Sequence, residues 1–223
     1  MSFATKASAI LWKDVLSELR AREIVTSVLV FGLLVLVVFN FAFDPGSGTM
    51  AIVGAGILWV AFTFAGVLSL NRSFAMEKEN SCIDGLMLCP VDRQVLYWGK
   101  LAGCFTFMFL VEIIITPVFL VLFNQSLWMP RLGLVVLLAT VGFAAVGTLF
   151  SALAANTKAR DIMLPILFLP MIVPVIIAAV EATGIVLDGG TWSDMATWLW
   201  IILAFDVIFL AVSALVFEFV LEE

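Results

Sequence analysis

Six long apolar runs alternate with polar intervals along the chain. They cover about 24–43, 50–70, 101–123, 132–155, 162–180 and 197–220. Each is close to the roughly 20 residues a helix needs to cross a bilayer, so six transmembrane helices are expected. The segment ahead of them, 2–23, has a different pattern. Leu11, Trp12, Val15, Leu16 and Leu19 recur at helical spacing, while Lys13, Asp14, Glu18, Arg20 and Arg22 fall off that stripe. This periodicity predicts an amphipathic helix lying in the membrane interface, with Trp12 at headgroup depth.

The polar intervals are mostly short. Asp44 to Gly48 and Asn124 to Arg131 carry turn residues, and Asn156 to Asp161 is another brief loop. The exception is 71–100, the longest polar interval between two apolar runs. Two features stand out within the runs. Gly133, Gly142 and Gly147 in the fourth are candidates for close helix contacts. Pro165, Pro170 and Pro174 in the fifth each remove a helical hydrogen bond. Pro174 is therefore a candidate helix end, with 175–187 folding back as a short re-entrant element and Glu181, Asp188 and Asp194 on the watery side.

Composition agrees with a chain dissolved in lipid. Hydrophobic residues make up 64% of the 223, against about half in a soluble domain. The mean hydropathy is +1.20. Net charge matters less than where the basic residues fall. Lys6, Lys13, Arg20 and Arg22 precede the first run; Arg72, Lys78, Arg93 and Lys100 occupy 71–100; Lys158 and Arg160 follow the fourth run. The other three loops hold only Arg131. Ten against one predicts that both termini and the 71–100 loop are cytoplasmic. The N-terminus lacks the pattern of a cleaved signal peptide, and no repeat period is apparent.

Candidate chemistry is sparse. Gly99-Lys100 lacks the rest of a phosphate-binding loop. With 0 histidines, the commonest metal ligand and general base is missing. Cys82, Cys89 and Cys104 form no zinc pattern and read as structural. No catalysis, metal site or nucleic-acid partner is expected, so any uphill work would draw on a partner or an ion gradient. Two acids lie inside apolar runs, Glu112 in the third and Asp206 in the sixth. Such residues are costly in lipid and face a bundle interior or a cavity. They are open to two readings, a proton or substrate relay and a neutral acid hydrogen-bonded to a neighbouring helix.

The 71–100 interval reads as a docking element. Phe74, Glu77, Lys78 and Glu79 continue a helix, with no breaker before Gly85; Asp84 adds to the charged tip, Pro90 ends it, and Asp92 to Trp98 lead into the third run. Held by two membrane helices, such an element could pass a partner's motion to both.

These residues also carry a resemblance. Glu77-Lys78-Glu79, Gly85-Leu86, Pro90-Val91-Asp92-Arg93 and Gly99-Lys100 resemble the coupling loop of type-two ABC exporter permeases. The longer string from Phe64-Ala65-Gly66-Val67 through Asn71-Arg72-Ser73-Phe74 to Leu88-Cys89-Pro90-Val91-Asp92-Arg93 is similar to the CcmB family, the haem exporter proteins B of cytochrome c maturation. Glu18 to Glu23, the Val37 to Phe43 exit, the length and the six runs are similar as well. The resemblance implies an all-α permease subunit in the bacterial inner membrane, two copies per complex. It implies a cytoplasmic CcmA-like ATPase gripping Phe74, Glu77, Lys78, Glu79, Asp84 and Gly85. It further implies CcmC-like and CcmD-like membrane subunits and a CcmE-like haem chaperone that ATP hydrolysis releases. Haem and ATP would be handled by the complex, with iron ligands supplied by another subunit. The competing readings are an ABC exporter permease for a drug, lipid or polysaccharide, an ion-coupled secondary transporter, and a membrane scaffold.

Overall fold

The computed structural model describes residues 3–20, 22–43, 50–79, 93–127, 129–155 and 160–220. Among these the chain forms seven helices and no strand. They are α1 (Phe3–Arg20), α2 (Arg22–Ala42), α3 (Met50–Glu79), α4 (Arg93–Leu122), α5 (Pro130–Ala155), α6 (Arg160–Leu187) and α7 (Trp192–Val220). Helices α2 to α7 are each long and apolar enough to cross a membrane. The chain is thus an all-helical polytopic membrane protein with six spanning helices. Its outward faces carry exposed Val30, Leu34, Val38 and Phe41 on α2 and Trp200, Val207, Ile208 and Leu215 on α7. An apolar exterior is what lipid as solvent permits.

The turns have identifiable chemistry. Asn124 adopts φ 53° after α4, and Gln125 N–H donates to the Leu120 carbonyl at 2.7 Å while Asn124 N–H donates to Val121 at 3.2 Å. Gly189, at φ 77°, closes α6 the same way, with Gly190 bonded to Ile185 at 2.8 Å. Both are paired C-terminal caps built on one left-handed residue. Pro130 opens α5, where its missing N–H is harmless. At the start of α7 the Thr191 N–H and hydroxyl both donate to one Asp194 oxygen, at 2.7 and 2.8 Å. This caps the helix with a carboxylate in its first turn.

Two sequence expectations about helix ends are corrected. Helix α6 does not stop near Pro174; it runs unbroken past all three prolines to Leu187, so 175–187 is not re-entrant. Leu164, Phe168, Ile172, Val175, Ala179, Ala182 and Val186 form a continuous buried stripe at helical spacing. Pro170 and Pro174 lie on the exposed side. Each proline removes its own bond locally, while the packed stripe holds the helix on either side of it. Helix α4 begins at Arg93 rather than at 101. Val95, Leu96 and Tyr97 are buried there, so the polar stretch before the third span is itself helical and packed. Helix α4 also contains Pro117 in its interior.

The core centres on Trp59 of α3, whose indole N–H donates to Thr183 Oγ1 of α6 at 2.9 Å. Its ring lies 5.4 Å from Phe62 and 6.3 Å from Phe143 of α5, and Phe143 lies 5.7 Å from Phe168 of α6. One aromatic cluster thereby joins α3, α5 and α6, with a polar handle satisfied across the interface. Gly142 and Gly147 mark close approaches on α5. A Cβ at Gly142 would fall 2.5 Å from Asp206 Oδ1 of α7, and one at Gly147 would fall 2.6 Å from a methyl of Leu70 of α3. Gly133 is corrected: a Cβ there would meet nothing within 4 Å, so it is not a helix contact.

Candidate functional site: the helical ends around the 71–100 interval

Helix α3 holds 30 residues without interruption. At 1.5 Å per residue this is about 45 Å, against roughly 30 Å of hydrocarbon. About 15 Å therefore extends beyond the hydrocarbon. Phe74, Glu77, Lys78 and Glu79 all fall on that projecting end. They are a rigid extension of the second span, not a separate helix hinged beneath it. Their side chains, and the whole of Asp84 and Gly85, lie outside the described residues. The chain re-enters as α4, which is again a 30-residue rod.

The foot of α4 packs on three other helices. Val95, Leu96 and Tyr97 join Ile10 of α1, Leu149 and Ala152 of α5 and Phe217 of α7 in a second apolar cluster, separate from the main core. The Tyr97 and Phe217 rings are 5.3 Å apart. Helix α1 lies chiefly along α4. Its Trp12 and Leu16 are exposed, while Ile10 and Asp14 are buried. The approach is close because α4 presents Gly99 and Gly103 on that side. A Cβ at Gly99 would lie 2.8 Å from Ile10 Cβ, and one at Gly103 would lie 3.2 Å from Asp14 Cβ.

At this contact Lys100 Nζ sits 3.2 Å from Asp14 Oδ2. Both side chains are enclosed, 8% and 7% exposed. Lys13, which is 41% exposed, reaches the other Asp14 oxygen at 3.0 Å. An enclosed ion pair holds its partners in register because separating them would strand a charge away from water. Sequence reasoning missed this pair. It assigned Asp14 to the solvent face of α1 and Lys100 to the loop. The signal was there in Gly99-x-x-x-Gly103, a small-residue spacing that lets a helix lie flush, opposite Ile10 and Asp14 four residues apart.

Both intramembrane acids bear on α5, from different helices. The Thr140 hydroxyl of α5 donates to Glu112 Oε2 of α4, and Glu112 is only 3% exposed. Asp206 of α7 is equally enclosed and abuts Gly142, and its Oδ1 has no hydrogen-bond partner among the described residues. Beside Glu112 a narrow cleft between α3 and α4 is lined by Phe62, Ser69, Phe107 and Met108. At the opposite end of the bundle from α1, Arg131 donates to the Gly190 carbonyl and lies 5.9 Å over the Trp192 ring, pinning α5 to the α6–α7 turn.

Comparison with known proteins bears on what such a bundle serves. The family model for "CcmB protein" matches residues 5–222, nearly the whole chain. The chain belongs to the CcmB protein family. Among curated relatives, it is 30% identical over 177 residues to a Heme exporter protein B of Rhodobacter capsulatus, covering 78% of this chain and 80% of that protein. It is 30% identical over 172 residues to the protein of the same name from Pseudomonas aeruginosa, covering 77% of each. A Paracoccus denitrificans relative, also named Heme exporter protein B, is 29% identical over 206 residues and matches 92% of this chain and 93% of its own length. The projecting α3 end and the packed foot of α4 are the described parts of this chain that flank the 71–100 interval.

Proposed function

We propose that this chain is the membrane permease subunit of an ABC complex that handles haem during cytochrome c maturation. The observation that carries the reading is the match to the CcmB family along residues 5–222, with relatives named as haem exporters covered over most of their length. The chain itself supplies no nucleotide site and performs no hydrolysis. It receives work from a CcmA-like ATPase. The α1 end of the bundle faces the cytoplasm, where the basic residues concentrate ten to one. The membrane is the bacterial inner membrane, and both termini are cytoplasmic.

The shape of the α3–α4 pair supports this use. A partner that grips Phe74 to Gly85 holds the end of α3, a few positions in sequence before α4 begins. Its displacement is transmitted without loss in a hinge, because no break separates the docking end of α3 from its membrane span. The two rods contact the rest of the bundle through Trp59, Leu70, Lys100 and Glu112, so a shift at the loop reaches the middle of the membrane. The complex contains two copies of this chain, CcmC-like and CcmD-like subunits, and a CcmE-like chaperone whose haem-loaded form is released on ATP hydrolysis. Haem is cargo of the complex, and any histidine ligand to its iron comes from another subunit, since this chain has 0 histidines.

The test is purification of the intact complex from native membranes, with identification of every co-purifying protein and a haem absorption spectrum. An ATPase together with haem-binding membrane subunits is the expected result. An ATPase without any haem protein would replace haem with another cargo. Charge reversal by Glu77→Lys with Glu79→Lys should leave insertion intact and abolish ATPase retention. Full retention in that variant would refute the docking role of the projecting α3 end.

A further inference from the structure

We propose that α1 is the bearing against which α4 moves, and that the Asp14–Lys100 ion pair is the residue-level lock that makes it so. This rests on the ATPase-docking reading above and adds to it the element that gives the docking loop a fixed point to work against.

A rod driven at one end transmits force only if something resists sideways escape. Helix α4 is driven at Arg93 and enters lipid, a fluid, within about two turns. Lys100 stands at that level. The element pressed on it is α1, which lies against α4 rather than crossing the membrane with it. Exposed Trp12 and Leu16, four residues apart, give α1 an apolar outer face. An amphipathic helix of that kind floats at a defined depth in the interface, since moving it up or down exposes apolar surface or buries charge. Fastened to α4, it sets that helix's depth and tilt.

The fastening has two parts. Gly99 and Gly103 remove side-chain bulk, so the backbones approach and Ile10 seats in the notch. Apolar contact alone permits sliding, because one methyl-sized notch resembles the next. The ion pair does not permit it. One turn of slip would part Lys100 from Asp14 at a site where both are more than nine-tenths enclosed. Lys13 reaches Asp14 from the solvent side, so the carboxylate is held from two directions. Asp14 and Lys100 are thus positioning residues: they touch neither nucleotide nor cargo, and act through the orientation of α4.

The test uses the purified complex with its ATPase and haem chaperone, and reads chaperone released per ATP hydrolysed alongside ATPase retention. Asp14→Asn and Lys100→Met should each retain the ATPase and its hydrolysis but lower release per ATP by about tenfold, since each removes the enclosed ion pair that fastens α1 to α4. A second variant separates this from general misfolding. In an Asp14→Asn background with Cys82, Cys89 and Cys104 replaced by serine, Ile10→Cys and Gly99→Cys place two thiols across the notch. The relevant Cβ positions are 2.8 Å apart, and a further separation of about 1 Å brings them to the roughly 3.8 Å that a disulfide spans. Oxidation should restore release per ATP and reduction should abolish it again in the same molecules. Unchanged release in both single variants would overturn the bearing while leaving docking intact, provided Glu77→Lys with Glu79→Lys still uncouples. Disulfide closure without recovery would overturn it equally. Loss of coupling confined to the Glu77 and Glu79 variant, with native behaviour here, assigns the work to α3 alone.

Discussion

Gly133 and Gly147 stand on the same helix, and replacing each by alanine should move stability in opposite directions. Both changes add one methyl and remove one helical glycine, a gain of about 0.5–1 kcal/mol in itself. At Gly133 the new Cβ would meet nothing within 4 Å, so the gain stands. At Gly147 it would lie 2.6 and 2.9 Å from the two methyls of Leu70 and 3.4 Å from its Cγ. Leu70 is 1% exposed, so its methyls would have to shift within a packed interior. Overpacking a filled interior costs about 1–3 kcal/mol, which outweighs the helix gain. The two variants should therefore differ by roughly 1–3 kcal/mol, with Gly147→Ala the less stable. Reversible unfolding in mixed micelles, followed by tryptophan fluorescence and extrapolated to zero denaturing detergent, measures both. Leu70→Ala placed in the Gly147→Ala background vacates the contested volume, so its own penalty should shrink by at least about 0.5 kcal/mol. The reasoning is refuted if Gly147→Ala matches or exceeds Gly133→Ala, or if the pair with Leu70→Ala is simply additive.

Two further measurements follow from the same packing. Gly142→Ala drives a Cβ to 2.5 Å from Asp206 Oδ1, so it should destabilise the bundle by about 1–3 kcal/mol, and Asp206→Ala in the same chain should recover most of that; equal loss in the single and double variants would show that the carboxylate is not the obstacle. Thr140→Val removes the donor to Glu112 at a cost near 0.6 kcal/mol, rising to about 1.7 at most, as for other hydrogen bonds inside membranes; Thr140→Ser should be close to neutral, and equal losses for the two would refute a role for the hydroxyl.

Much of this architecture could be read in advance because lipid imposes so few options. A backbone in hydrocarbon must satisfy itself, so each long apolar run had to be a helix, and the six runs near 24–43 through 197–220 correspond to α2 through α7. The ends were harder. Polarity marked where water begins, but a helix stops where packing and capping stop. Val95, Leu96 and Tyr97 look like loop residues beside Asp92, Arg93 and Gln94, yet contacts from α1, α5 and α7 bury them. The three prolines of α6 look like a terminus when taken one at a time. Their penalties are local, whereas the stripe from Leu164 to Val186 is collective and spans the whole helix.

The candidate site was legible in its residue types and illegible in its pairing. Asp14 and Lys100 are 86 positions apart, and nothing near either one names the other. The same holds for Trp59 with Thr183, 124 apart, and for Glu112 with Thr140, 28 apart. These three contacts have a shared physical meaning. In lipid, apolar faces gain little by preferring one another over acyl chains, so greasy helices alone do not select a register. A polar group enclosed in the bundle does select one, because every other register leaves it unsatisfied. Each contact joins a different pair of helices: α1 to α4, α3 to α6, α4 to α5. Both helices that flank the 71–100 interval, α3 and α4, are included. Under the proposed docking role of the 71–100 interval, work delivered there reaches helices whose registers are already pinned, so the expected displacement is a tilt of whole rods rather than a slide of one along another.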